Sequence, residues 1–174
     1  MRSLSKSKLT AALFIGLVVA LVAGAVPALA FDHSANESAM LRLIDHARAR
    51  RGLHRLAERS ALDAAALSHA RQMIRLDYFS HSSQDGTTMG ARVRDAGYGS
   101  RGWSGWSAGE VIAWGSGAKG TPRAIFTAWM HSPSHRGIIL GKRWRDVGLG
   151  CARGVFKGVS GVTMFTVDLG RRVR

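Results

Sequence analysis

Cysteine is almost missing from this chain: Cys151 is the single one in 174 residues. No intrachain disulfide can form and no cysteine-based metal centre can be built, so packing alone must hold the fold. Cys151 lies in the alternating stretch Val147-Gly-Leu-Gly-Cys151, which fits a buried strand thiol better than a nucleophile. Acids are scarce too, with 11 Asp and Glu against 25 Lys and Arg. Neither a glycine-rich phosphate loop nor a dinucleotide fingerprint is present. The Gly-x-Ser-x-Gly elbow of a serine hydrolase is also lacking, since Gly102-Trp-Ser-Gly105 is one residue short and sits in a loop.

Long apolar runs are confined to the N-terminus. Arg2, Lys6 and Lys8 precede the uncharged stretch Leu9–Val26, and Ala28-Leu29-Ala30 supplies the small residues a signal peptidase requires. Residues 1–30 are therefore expected to be a signal peptide, followed by a short segment 31–37. Leu9–Ala30 is also 22 residues long, and roughly 20 suffice to span a bilayer, so the alternative is a retained anchor. The switch to Asp32-His33-Ser34 favours cleavage. Either way the domain is placed outside the cytoplasm, secreted or in the envelope, and touches membrane only if the segment stays on.

Taking the three bases of that segment from 25 leaves 22 against 11 acids, a formal +11 on 144 residues. That length suits one domain. Such charge would suit nucleic acid, but export argues against that partner and for an anionic envelope polymer or lipid headgroup. The bases are scattered, and the simpler reading is that they only aid solubility. Only Arg48-Ala49-Arg50-Arg51 and the tail 171–174 are grouped.

Met40, Leu41, Ile44 and Ala47 recur at helical spacing, predicting a helix over Glu37–Arg51 that stops at Gly52. A second starts at Ser60, where Ser60 and Asp63 form a capping-box pattern, and buries Leu62, Ala66, Ala70 and Met73. A third spans Thr87–Ala96. Gly99–Gly109 reads as an ordered loop whose Trp103 and Trp106 pack over the domain edge. Glu110–Trp114 has strand character. Thr121-Pro122 opens a helix with Ile125, Phe126, Trp129 and Met130 on its apolar face, and Pro133 stops it or bends the chain. Val147–Cys151 and Val162–Leu169 read as strands, the latter apolar on both sides and hence central. Helices first, strands last and a sheet covered twice predict an α+β, three-layer α/β/α sandwich.

Seven histidines offer chemistry. His33, His46 and His54 are read as surface residues and His69 as a hydrogen-bonded structural one. His81 follows Tyr78-Phe79, which should anchor a helix exit, and precedes the polar turn Ser82–Gly86, a placement suited to facing a cleft. His131 and His135 are four apart, yet Pro133 and two serines stand between them in place of a metalloprotease helix, and the spacing does not choose between them. Glu110 stands between Gly109 and Val111-Ile112-Ala113, where a charge needs a partner: a histidine, a cation or an arginine.

The ordered motifs Phe79-Ser80-His81, Asp85-Gly86, Ala96-Gly97-Tyr98, Gly109–Ala113, Trp129–Arg136, Ile139-Leu140 and Val147–Gly150 resemble the bacterial branch of the CAP superfamily. The similarity runs from about Ser38 to Gly170. It implies the same sandwich, with a mainly antiparallel sheet and a cleft where two histidines and two glutamates meet. His81, Glu110 and His135 match three of these; Ser132 stands where the second glutamate normally falls, and Val111 replaces the usual asparagine. Two imidazoles with Glu110 or water suit zinc or another divalent cation, with no organic cofactor. A serine in place of a carboxylate weakens both cation holding and proton abstraction. The resemblance thus implies a secreted, non-enzymatic binding module. The alternatives are an extracellular metal-assisted or His/Glu-dependent hydrolase and, from Trp103 and Trp106, a carrier of apolar ligands.

Overall fold

The computed structural model describes residues 33–174 apart from Arg101. The expected signal segment 1–30 lies outside the described residues. Helix α1 (His33–Ala49) begins earlier than its apolar spacing suggested and buries Met40, Ile44 and Ala47. Gly52 then reverses the chain with φ of 64°, a conformation that costs glycine little. A two-residue strand β1 (Ala57–Glu58) leads into α2 (Ser60–Arg75), and α3 covers Met89–Asp95. Strand β2 (Gly105–Ser116) is followed by a short 3-10 turn, Gly117–Gly120. Helices α4 (Pro122–His131) and α5 (Pro133–Ile139) come next, then β3 (Asp146–Phe156) and β4 (Val159–Val173).

The sheet order is β1-β3-β4-β2. Both long pairings are antiparallel, while β1 lies parallel to β3, so the sheet is mixed. β4 is the central strand, as its two apolar sides required. Val111, Val147, Leu149, Cys151, Val167 and Leu169 form one core with residues of α1, α4 and α5. On the opposite face Ile112, Ala152 and Met164 pack with Ala70 and Met73 of α2. The three layers follow from this alternation. The basic C-terminal residues continue β4 to Val173.

Two sequence expectations need correction. The loop predicted over Gly99–Gly109 is strand from Gly105 onward, because β4 is long enough to pair with Gly105 through Ser116. Trp106 packs edge-on to Tyr98, and the guanidiniums of Arg172 and Arg174 lie over Trp103 at 4.4 and 5.3 Å, so both indoles are used at the domain edge. The capping box at Ser60 does not form: Arg59 is the cap residue and gives no side-chain bond. Asp63 instead accepts the Leu149 N–H of β3 at 2.9 Å, a long-range partner that local spacing cannot reveal.

Three interactions place the helices around the sheet's β2 edge. The Trp129 indole donates to the Ile112 carbonyl at 3.2 Å, tying α4 to β2. Arg48 is fully buried and donates to the carbonyls of His54, Ile139 and Gly141, tying α1 to the end of α5. Tyr78 packs against the α2-side core and donates to Gln72, fixing the exit of α2. Among the described residues no helix is long and apolar enough to cross a membrane.

Candidate functional site

Strand β2 is an edge strand, and the chain passes it on both sides: Phe79–Ser82 from the α2 layer and α4–α5 from the other. Between them lies a cavity of about 550 Å³ whose lining includes His81, Ile112, Trp114, Ser132 and His135. His81 and His135, placed far apart in sequence, thus meet in one cleft.

Each imidazole is oriented through its Nδ1. His81 Nδ1 lies 2.6 Å from Glu110 Oε1, and His135 Nδ1 lies 2.8 Å from Ser132 Oγ. Ser132 therefore does for His135 what a carboxylate does for His81: it fixes the ring and leaves Nε2 as the nitrogen without a partner among the described residues. The break that places Ser132 comes from Pro133, which both ends α4 and begins α5. Burial, then the neighbouring His81, pushes the His135 imidazole below its ordinary pKa. His131 ends α4 exposed, with Nδ1 on the Thr127 carbonyl, outside the cleft lining.

Glu110 has two partners. While Oε1 meets His81, Oε2 accepts from Arg92 of α3 at 2.7 Å, so the buried charge is matched by a histidine and an arginine together. Both carboxylate oxygens are thereby committed, and Glu110 stands behind the His81 ring. Arg92 also donates to the His81 carbonyl at 2.9 Å, so one guanidinium steadies both members of the pair.

Sequence reasoning missed Arg92 and Asp168. Asp168 is opposite Glu110 in the ladder, fully buried, and neither carboxyl oxygen has a hydrogen-bond partner among the described residues. Burial, reinforced by the Glu110 charge, pushes its carboxyl well above the ordinary range despite the opposing pull of Arg92. A lone acid in a strand otherwise apolar on both sides was the available signal.

His69, His46 and His54 divide as their sequence positions suggest, and the His33 side chain lies outside the described residues. His69 is buried, with Nε2 2.8 Å from the Ser80 carbonyl, and desolvation lowers its pKa. His46 and His54 are exposed. Phe79 differs from expectation: Tyr78 alone anchors the helix exit, and Phe79, 41% exposed, lines the cleft. Burial pushes the Cys151 thiol up to about 12, in keeping with an inert strand residue.

Comparison with known proteins agrees with this architecture. The model of the cysteine-rich secretory protein (CAP) family matches residues 41–168. An extracellular SCP-domain protein of Bacillus anthracis has 25% identity and a TM-score of 0.65, covering 80% of this chain. This chain spans only 41% of that protein. An outer surface protein of Borrelia burgdorferi has 20% identity over 81% of this chain and 96% of its own, with a TM-score of 0.67. A cysteine-rich secretory protein of Staphylococcus aureus has 12% identity and a TM-score of 0.57, covering 82% of this chain, which spans 40% of it. No curated protein matches. The chain belongs to the cysteine-rich secretory protein (CAP) family.

Proposed function

We propose that this protein is an extracytoplasmic binding module whose cleft holds a divalent cation, zinc in the first instance, on His81 and His135. One observation carries the reading: both imidazoles line a single cavity, and each has its Nδ1 engaged by a neighbour, leaving Nε2 for a ligand. Zinc accepts imidazole nitrogen, and its remaining positions would be filled by water or by a bound partner. The depressed pKa of His135 favours the neutral ring that a metal requires. Placement outside the cytoplasm is supported by the N-terminal sequence and by the extracellular and outer-surface relatives. The excess of 25 basic over 11 acidic residues suits an anionic envelope as the setting.

Binding is favoured over catalysis because Glu110 has no oxygen to spare for proton abstraction, and Ser132 is a weak acceptor. Calorimetry with Zn²⁺ on the native protein and on a His81→Ala/His135→Ala variant tests the reading. The native protein should give a saturable heat that the variant lacks; equal heats overturn it. Incubation with casein and cell-wall fragments, with and without chelator, should show no turnover above that of Glu110→Gln. Turnover above that control favours the hydrolase instead.

A further inference from the structure

The two edges of the sheet are finished differently. On the β3 side, β1 pairs only with Asp146 and Val147. Beyond that, the outward N–H of Leu149 donates to Asp63 at 2.9 Å and that of Cys151 to Glu37 at 3.0 Å. Carboxylates from two helices therefore close an edge that a short strand leaves open, which is how sheets avoid unwanted pairing.

The β2 edge has no such cover at the cleft. Three hydrogen bonds fix the phase of the ladder: Ser104 N–H to the Val173 carbonyl, Arg145 N–H to the Gly170 carbonyl, and Trp129 Nε1–H to the Ile112 carbonyl. Val173 thus turns its carbonyl toward β2, and Gly170 turns its own toward β3. In an antiparallel pair the N–H and C=O of one residue point the same way, and the direction alternates along the strand. Ile112 and Trp114 consequently direct their backbone groups away from β4. The Trp129 indole takes the Ile112 carbonyl. The Ile112 N–H and both backbone groups of Trp114 have no hydrogen-bond partner among the described residues.

The cavity touches Ile112, Ala113 and Trp114 in succession. Successive strand side chains point to opposite faces, so a space that meets all three runs along the strand's edge. Its far wall supplies two imidazoles and hydroxyls with no free carboxylate, because Glu110 is tied to His81 and Arg92. Phe79 and Trp114, 41% and 37% exposed, offer apolar seats. The N–H groups of Ile112 and Trp114 and the Trp114 carbonyl, spaced along one edge, are matched by another extended backbone. A carboxylate on that backbone complements the chain's excess of 25 basic over 11 acidic residues.

We propose that the cleft takes an extended, acidic peptide segment of a partner protein, which adds as a further strand along β2 at Ile112 and Trp114. About three or four residues would fill this stretch at the usual rise of roughly 3.3 Å per residue. The inference rests on reading the cleft as a binding site, but it does not require the metal.

Linear random peptides displayed on phage are selected on the immobilised native protein in the presence of EDTA. The tightest is then made with blocked termini, both unmodified and N-methylated at alternate residues, and bound to isotope-labelled protein. Selected sequences should be enriched in Asp and Glu, and amide exchange at Ile112 and Trp114 should slow at least about tenfold. Methylation on the edge-facing residues should weaken binding by up to about tenfold per bond, whereas methylation on the others should not. No enrichment, indifference to methylation, or protection elsewhere overturns the proposal. So does protection of Ile112 and Trp114 that rises with protein concentration without peptide, which would mean a second copy pairs there.

Trp114→Pro removes an N–H that makes no bond in the fold, together with a ring that packs edge-on to Phe156 at 5.0 Å, so it should abolish peptide binding while lowering the melting temperature of a protein that still folds. Unchanged peptide affinity in that variant also overturns the proposal. If it does not fold, the methylated peptides on native protein decide alone. Zinc calorimetry and peptide protection, both measured on the native protein, separate the two readings. Ile112 and Trp114 protected by peptide, with no zinc heat in the native protein, supports the strand and removes the metal. Zinc heat without that protection does the reverse.

Discussion

His81 Nδ1 sits 2.6 Å from Glu110 Oε1, and this contact decides which ring nitrogen the cleft sees. A carboxylate behind an imidazole fixes its tautomer and restrains its rotation. Ser132 repeats the arrangement at His135 with a neutral hydroxyl, so the two rings are held alike but polarised unequally.

Glu110→Gln should therefore weaken zinc binding without removing a ligand. The amide keeps the shape, yet it loses the charge that orients His81 and matches Arg92. A loss of about 10–100-fold in affinity is expected from disrupting such an outer partner. Calorimetry reads it directly, and undiminished affinity would show that His81 is held in some other way.

Asp168 predicts an unusual pH response. Its folded pKa is raised by burial first and by Glu110 second. A raised acid contributes stability that is complete below the unfolded value, about 3.9, and that is lost as pH rises through the folded one. The native protein thus carries a penalty at neutral pH on this residue's account. Asp168→Asn should be at least as stable as native at pH 7, with the difference shrinking toward acid. Urea midpoints across pH would expose the opposite trend if Asp168 were instead a stabilising anion.

The layers were legible because they depend on periodicity: Met40 and Ile44 mark a helix face, and Val162–Leu169 marks a strand covered twice. The candidate cleft was legible in part. His81, Glu110 and His135 were singled out by motif register, and Glu110 also by the cost of an unmatched charge. Arg92 stayed hidden because its partner lies across the fold, 18 residues away in sequence, and nothing in a short helix announces which arginine turns inward. Asp63 misled for the same reason, since its capping spacing is local while its bond to Leu149 spans 86 positions.

Gly148 and Gly150 define how closely α2 approaches the sheet. A Cβ on Gly148 would collide with the backbone of Leu62 and Asp63, and one on Gly150 with the backbone of Ala66 and Leu67. The alanine-rich face of α2 and these two glycines are complementary halves of one contact. Gly150→Ala has no flexible side chain to push aside, so the helix itself must lift. A loss of about 1–3 kcal/mol is expected from such overpacking. Thermal unfolding checks it, and a variant within a few tenths of native would mean that α2 slides freely.

Asp146 should set the acid limit of the fold. Its carboxylate is buried and accepts from Arg59 at 2.6 Å, Tyr98 at 2.8 Å and Arg172 at 3.0 Å, joining α2's start, the α3 exit and β4's end to β3. Burial alone would raise its pKa, but the two guanidiniums and the phenol outweigh that and hold it below the ordinary value. A depressed acid contributes stability that is present above the unfolded value, about 3.9, and that disappears as pH falls through the folded one. Asp168 works in the opposite sense over the acid range, so the two variants should bend the stability profile in opposite directions. Asp146→Asn leaves Arg172 facing a neutral amide in a mostly buried position and should cost about 3 kcal/mol at pH 7. That cost should shrink as the native carboxylate is itself protonated. Urea titrations from pH 7 downward test this, and a penalty that stays constant to the lowest pH would show that the charge on Asp146 is not what holds these elements together.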